Sequence, residues 1–195
     1  MNFLAHIYLS QGHPKVTIGN FIGDFVKGTQ IDRYDDEIRK GILLHRAIDH
    51  FTDTHEIVKK SKDRLRGNFR HYAPVIVDVF YDHILAREWK KYAQEDLNDF
   101  VQGFYQLAME FSEEIPQSAR HMLTYMKRDN WLYNYQFIEG INRALSGMSR
   151  RTKFESKMDV AAKELSLHYE AFRDEFQLFF PELQAHCSAI LTKSA

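Results

Sequence analysis

The segment VIVDVFYDHILAREW, residues 75–89, constrains the fold more than any other. Val75, Val79, Phe80, Ile84, Leu85 and Trp89 recur at helical spacing and leave almost no polar face, so this helix belongs at the centre of a helical protein. Within it stand two acids, Asp78 and Asp82, four residues apart and therefore neighbours on one face. Two carboxylates in a low-dielectric interior repel strongly unless a cation or several hydrogen-bond donors compensate them. His83 follows Asp82 directly, but adjacent helical residues point about 100° apart and need not share a site.

Apolar residues recur at helical spacing along nearly the whole chain, and strand alternation with hairpin signals is missing. The expectation is an all-α protein, one helical bundle forming a single domain over residues 1–195, a length sufficient for a substantial core. Helices are expected near 2–10, 18–28, 36–58, 74–92, 95–112, 117–126 and 157–178, with a less regular stretch at 129–150. Pro14, Gly28, Gly67 and Pro116 punctuate them, and Pro74 fits the first turn of the central helix, where a missing N–H costs nothing. The lone Cys187 excludes an internal disulfide and a Cys-rich zinc site, and points to the cytoplasm. MNFLAHIYLS carries no basic leader, which speaks against a signal peptide, and no apolar run approaches the roughly 18 residues that span a bilayer. With 26 basic and 27 acidic residues, the net charge gives no case for nucleic acid or membrane binding. Charge is concentrated locally: KKSKDRLRGNFR (59–70) has six basic residues against one acid, and Arg150, Arg151 and Lys153 form a smaller cluster. Such a run either receives an acidic partner or faces water.

A second polar seam runs through GILLHRAIDHFTD (41–53), where His45, Asp49 and Asp53 stack at i, i+4 and i+8 beside Ile42, Leu44, Ile48 and Phe51. GNFIGDFVKG (19–28) places Asn20 and Asp24 four apart among three glycines, without the Gly-Lys-Ser/Thr ending of a phosphate loop. His6, in an apolar N-terminal helix, reads by itself as a hydrogen-bonded core histidine. Imidazole and carboxylate together suit manganese, iron, zinc or magnesium. An ion so held can activate water and neutralise phosphoryl charge, which phosphodiester hydrolysis requires, and Arg46 could hold a phosphate oxygen. The structural alternative is that these side chains cap helices or pair with Arg39, Arg46 and Arg87. Gly-x-Ser-x-Gly is absent, which disfavours a nucleophilic triad. The aromatic stretch YMKRDNWLYNYQF (125–137) suits either a ligand groove or core and rim.

The segments MNFLAH (1–6), GNFIGDFVKG (19–28), GILLHRAIDHFTD (41–53) and VDVFYDHILAREW (77–89), in this order, resemble the acyl carrier protein phosphodiesterase family. The resemblance implies a divergent, HD-like phosphohydrolase architecture. It also implies a manganese-dependent reaction, with Mg2+ or Fe2+ as alternates, that removes 4′-phosphopantetheine from holo acyl carrier protein. It marks Asp24 as a metal-site acid, with His6, His45, Asp49, Asp78, Asp82 and His83 as further candidate ligands. Asp24, His45, Asp78 and Asp82 stand foremost, and Arg46 or Lys27 would offset developing charge. Carrier proteins are strongly acidic, which gives the 59–70 segment a role as docking surface. The sequence departs from the ordinary HD pattern, because Asp82-His83 has the reverse order. Two other readings use the same residues: hydrolysis of a nucleotide such as a guanosine polyphosphate, and a helical adaptor whose seams are salt-bridge networks.

Overall fold

The computed structural model describes residues 1–193. Among these the chain forms eleven α-helices and no strand. They are α1 (Phe3–Leu9), α2 (Pro14–Ile22), α3 (Asp36–Thr54), α4 (Glu56–Phe69), α5 (Ala73–Arg87), α6 (Leu97–Glu110), α7 (Gln117–Arg128), α8 (Trp131–Asn134), α9 (Ile138–Ser149), α10 (Ala162–Leu167) and α11 (Tyr169–Lys193). Short 3-10 turns join several of them, including Gly23–Phe25 after α2. No described helix is long and apolar enough to cross a membrane.

The all-round apolar helix takes the central place its sequence demands: eleven of the fifteen residues of α5 are buried, and Pro74 lies in its first turn. Against it lies α11, whose Phe172, Phe176, Phe179, Phe180, Leu183 and Cys187 form a fully buried stripe. This stripe explains why the last helix runs to Lys193 rather than stopping near 178. Pro181 inside it forfeits a backbone hydrogen bond, at about 3 kcal/mol. Burial of the apolar residues on either side exceeds that cost.

Other boundaries shift for local reasons. The helix expected at 36–58 breaks at His55, whose backbone is extended and whose Nδ1 accepts the Ile57 amide, capping α4. Gly67 lies inside α4, and the break comes instead at Arg70, which adopts a positive φ of 50°. The helix expected at 18–28 starts earlier, with Pro14 as its first residue, and closes at Ile22. The stretch around 129–150 resolves into α8 and α9, joined by a turn.

One packing contact positions everything that follows. Helices α2 and α3 meet backbone to backbone through Gly19 and Gly41. A Cβ on Gly19 would lie 2.0 Å from the Ile38 carbonyl oxygen, and one on Gly41 2.2 Å from that of Val16. Any larger residue at either position would force the two helices apart.

Candidate metal centre

Three helices contribute to one cluster: α1 brings His6, α2 brings Asn20, and α3 brings His45 and Asp49. The close α2–α3 approach lets the His45 ring reach under the preceding helix, where Nδ1–H donates to the Asn20 carbonyl oxygen at 2.7 Å. Gly23 is required there, because a Cβ would sit 2.3 Å from the His45 ring. The Asn20 side chain donates to the His6 carbonyl at 2.7 Å and to the Ser10 hydroxyl at 3.0 Å. Its amide oxygen therefore faces His6, accepting from Nδ1–H at 2.8 Å. The two imidazoles stack with centroids 4.0 Å apart.

Both rings thus spend their Nδ1 protons on Asn20, and both Nε2 atoms point at one carboxylate. His6 Nε2 and His45 Nε2 each lie 3.2 Å from an oxygen of Asp49, and Asp24 stands 3.3 Å from His45 Nε2. Neither Nε2 makes a directed hydrogen bond. One ligand atom from each of His6, His45 and Asp49 falls within 4.8 Å of the others. Buried acceptors aimed at one another are a costly arrangement that a cation relieves. The set, two imidazoles and a carboxylate with Asp24 alongside, fits a divalent ion of the zinc, manganese or iron type. Fixing of each imidazole by a hydrogen bond at its other nitrogen is the usual support for such ligands.

A proton meets the same need when no cation does. Burial works against the His45 imidazolium, yet Asp24 and Asp49 outweigh it and push the pKa up to about 9. Burial, then the charge of His45, takes His6 down to about 4. Burial acts to raise Asp49 as well, but the two histidines hold it well below the usual carboxylate range. The histidines form a buried floor, while the side chains of Asp49 and Asp24 are 40% and 69% exposed. A cleft of about 370 Å3 opens over these acids, walled also by Asp53, His71, Pro74, Asp78, Phe3 and Met148. Met1 also lines it, with its buried amine 3.1 Å from Asp78 and 3.8 Å from Asp49.

Other candidates are placed differently. Asp82, expected among the foremost ligands, is fully buried and serves as a cap: its oxygens accept the amides of Asn2 (3.3 Å), Leu4 (2.7 Å) and Ala5 (3.3 Å) at the start of α1. Burial pushes it up to about 7 against the pull of those donors. His83 points elsewhere, donating Nδ1–H to the Tyr135 carbonyl at 2.7 Å with its ring edge to Tyr169. Asp78 reaches the cleft but faces the Met1 amine, and Asp53 pairs with Lys62 at 2.7 Å. Arg46 bonds the Val26 carbonyl, bracing the turn that carries Asp24, and neither it nor Lys27 walls the cleft. The basic 59–70 segment is mostly α4, and three of its cations are already engaged: Lys62 with Asp53, Arg66 with Asp63, and Arg64 in a two-pronged pair with Glu175. In the sequence Asn20 stands out only for its spacing from Asp24. Its role in setting both histidine tautomers carried no sequence signal beyond a polar residue in the apolar run of α2.

The comparisons with known proteins agree with the ordered motifs. The family model described as acyl carrier protein phosphodiesterase matches residues 1–183. A protein of that name from Enterobacter sp. (strain 638) is 34% identical over 186 residues, covering 94% of this chain and 95% of the relative. Its namesake in Klebsiella pneumoniae (strain 342) is 33% identical over 185 residues, with 94% and 95% covered. That of Escherichia coli (strain K12 / DH10B) is 31% identical over 190 residues, with 96% and 98% covered. No solved structure matches. The match thus takes in all the segments that build the cluster, from His6 to the Asp82 cap, and the chain belongs to the acyl carrier protein phosphodiesterase family.

Proposed function

We propose that this chain hydrolyses the phosphodiester that joins 4′-phosphopantetheine to the serine of holo acyl carrier protein, using a divalent cation at His6, His45 and Asp49 with Asp24. The observation that carries the reading is the pair of Nε2 atoms, fixed by Asn20 and aimed at Asp49 without a hydrogen bond. Manganese is the favoured ion, with magnesium or iron(II) as alternates, and the ligand chemistry is that of an HD-like hydrolase. An ion there supplies Lewis acidity toward the phosphoryl group and makes water a nucleophile near neutral pH.

The protein's own groups do the rest. His6 and His45 hold their lone pairs forward because Asn20 keeps their Nδ1 protons turned away. Asp24, beside the three-residue ligand set and exposed at the cleft, is placed to take the proton that water loses as its oxygen attacks phosphorus. The bond from phosphorus to the carrier serine oxygen breaks, and that oxygen takes up a proton, giving apo carrier and free 4′-phosphopantetheine. The 59–70 cations not engaged in pairs, Lys59, Lys60 and Arg70, are one docking surface for an acidic carrier.

The test is to incubate the protein with holo carrier and Mn2+ and follow carrier mass, with a chelator control. Loss of one phosphopantetheine that the chelator prevents is expected. Unchanged holo carrier, with turnover of a guanosine polyphosphate instead, would overturn this reading in favour of a nucleotide hydrolase.

A further inference from the structure

A second and larger cavity, about 750 Å3, adjoins the cleft over the histidine cluster. Their shared walls, Phe3 and Met148, make an apolar neck where the two meet. Beyond the neck the walls come from α8 and α9, with Trp131, Gly147 and the Asn142 side chain among them. Its charge is unlike that of the cleft. Arg143, Arg150 and Arg151 line it against a single acid, Asp129, which Arg128 already holds at 2.7 and 2.8 Å. Among the described residues no carboxylate forms an ion pair with these three arginines, although Asp129 feels the charge of Arg143, and their one side-chain hydrogen bond runs from Arg151 Nε to the Gly147 carbonyl.

We propose that this groove receives the pantetheine arm and that its arginines receive the acidic face of the carrier, an assignment that rests on the phosphodiesterase reading above. The sequence of chemistry along the groove matches that along the substrate. Next to the phosphate the arm carries a quaternary carbon with two methyl groups, and next to the ligand cluster the groove presents Phe3 and Met148. Farther out the arm alternates amides with short alkyl links, and the walls mix Trp131 with Asn142 and helix backbone at the glycines. The volume lies in the range of sites that enclose small molecules. The arm itself is neutral beyond its phosphate, so it does not account for three guanidinium groups that lack an ion-pair partner. An acidic protein at the rim does, with its effect chiefly on association rate and salt sensitivity. By contrast, no residue of 59–70 walls either cavity.

Two variants of the full chain separate the parts. In Arg143→Gln/Arg150→Gln/Arg151→Gln, kcat/KM for holo carrier is expected to fall about tenfold or more at low salt with kcat little changed, and its salt dependence to flatten. Gly147→Phe fills the groove without strain, since a Cβ there meets nothing within 4 Å. In metal-free protein it is expected to abolish the tighter binding of holo over apo carrier, read by fluorescence anisotropy, while the Mn2+-induced rise in Tm persists. Wild type active on holo carrier, with both groove variants unimpaired in rate and in holo preference, overturns the groove and leaves the activity standing. Wild type inert toward holo carrier overturns both.

Discussion

Helices α3 and α5 carry polar seams that look alike in the sequence, carboxylates at four-residue spacing on otherwise apolar helices, yet they solve the burial problem in opposite ways. On α5, Asp82 is surrounded by donors: three amides at the start of α1 converge on it. On α3, His45 and Asp49 are met by another acceptor, the Nε2 of His6. A buried acid furnished with fixed donors is a joint between helices. Acceptors gathered on acceptors, with both imidazoles locked from behind by Asn20, are an arrangement suited to a cation.

The largest expected effect breaks the comparison on its α3 side. His45→Ala or Asp49→Ala should cost on the order of 10^3-fold in phosphodiester release, roughly 4 kcal/mol of transition-state stabilisation, and should abolish the Mn2+-induced rise in Tm. Activity within tenfold of wild type would erase the distinction between the seams. On the α5 side, Asp82→Ala should lower unfolding free energy in urea by about 3 kcal/mol, because it orphans buried amides, while Mn2+ affinity stays unchanged. A fall in affinity at constant stability would instead make Asp82 a ligand. Asn20→Ala sharpens the contrast: with the ligands intact but unfixed, calorimetry should find Mn2+ bound about 10–100-fold more weakly.

The smallest effect concerns His83, the histidine outside the cluster. Burial takes its pKa down to about 4, from an unfolded value near 6.5. The unfolded chain therefore binds this proton first, so the stability His83 contributes is complete above pH 6.5 and is lost as pH falls toward 4. Between pH 6.5 and 5.5 the loss should be roughly 1 kcal/mol, and His83→Gln should remove that part of the slope from a series of urea melts. An identical slope in the variant would mean that burial does not lower the pKa of His83 in the folded protein.

The all-α character, the central place of α5 and the family were legible from periodicity and from four ordered motifs. The need for compensation at Asp82 and Asp49 was legible too, but its kind was not, since that depends on which element packs against each carboxylate. Spacing pairs Asp78 with Asp82; only the docking of α1 across α5 gives Asp82 its amides. His6 read as a core histidine because its partner, Asp49, is 43 residues away and arrives through the glycine contact of α2 with α3. The basic run at 59–70 hides some of its partners in the same way. Glu175 and Asp53, which engage Arg64 and Lys62, lie on other helices.

The Asp82 cap has a consequence for motion. The amides of Leu4 and Ala5 are bonded to a side chain of the central helix rather than to solvent. They cannot exchange their hydrogens by simple fraying of α1, and should do so only when α1 lifts from α5. That same opening would carry His6 out of the cluster, so the protection of these two amides reports the free energy of dismantling the proposed cation site.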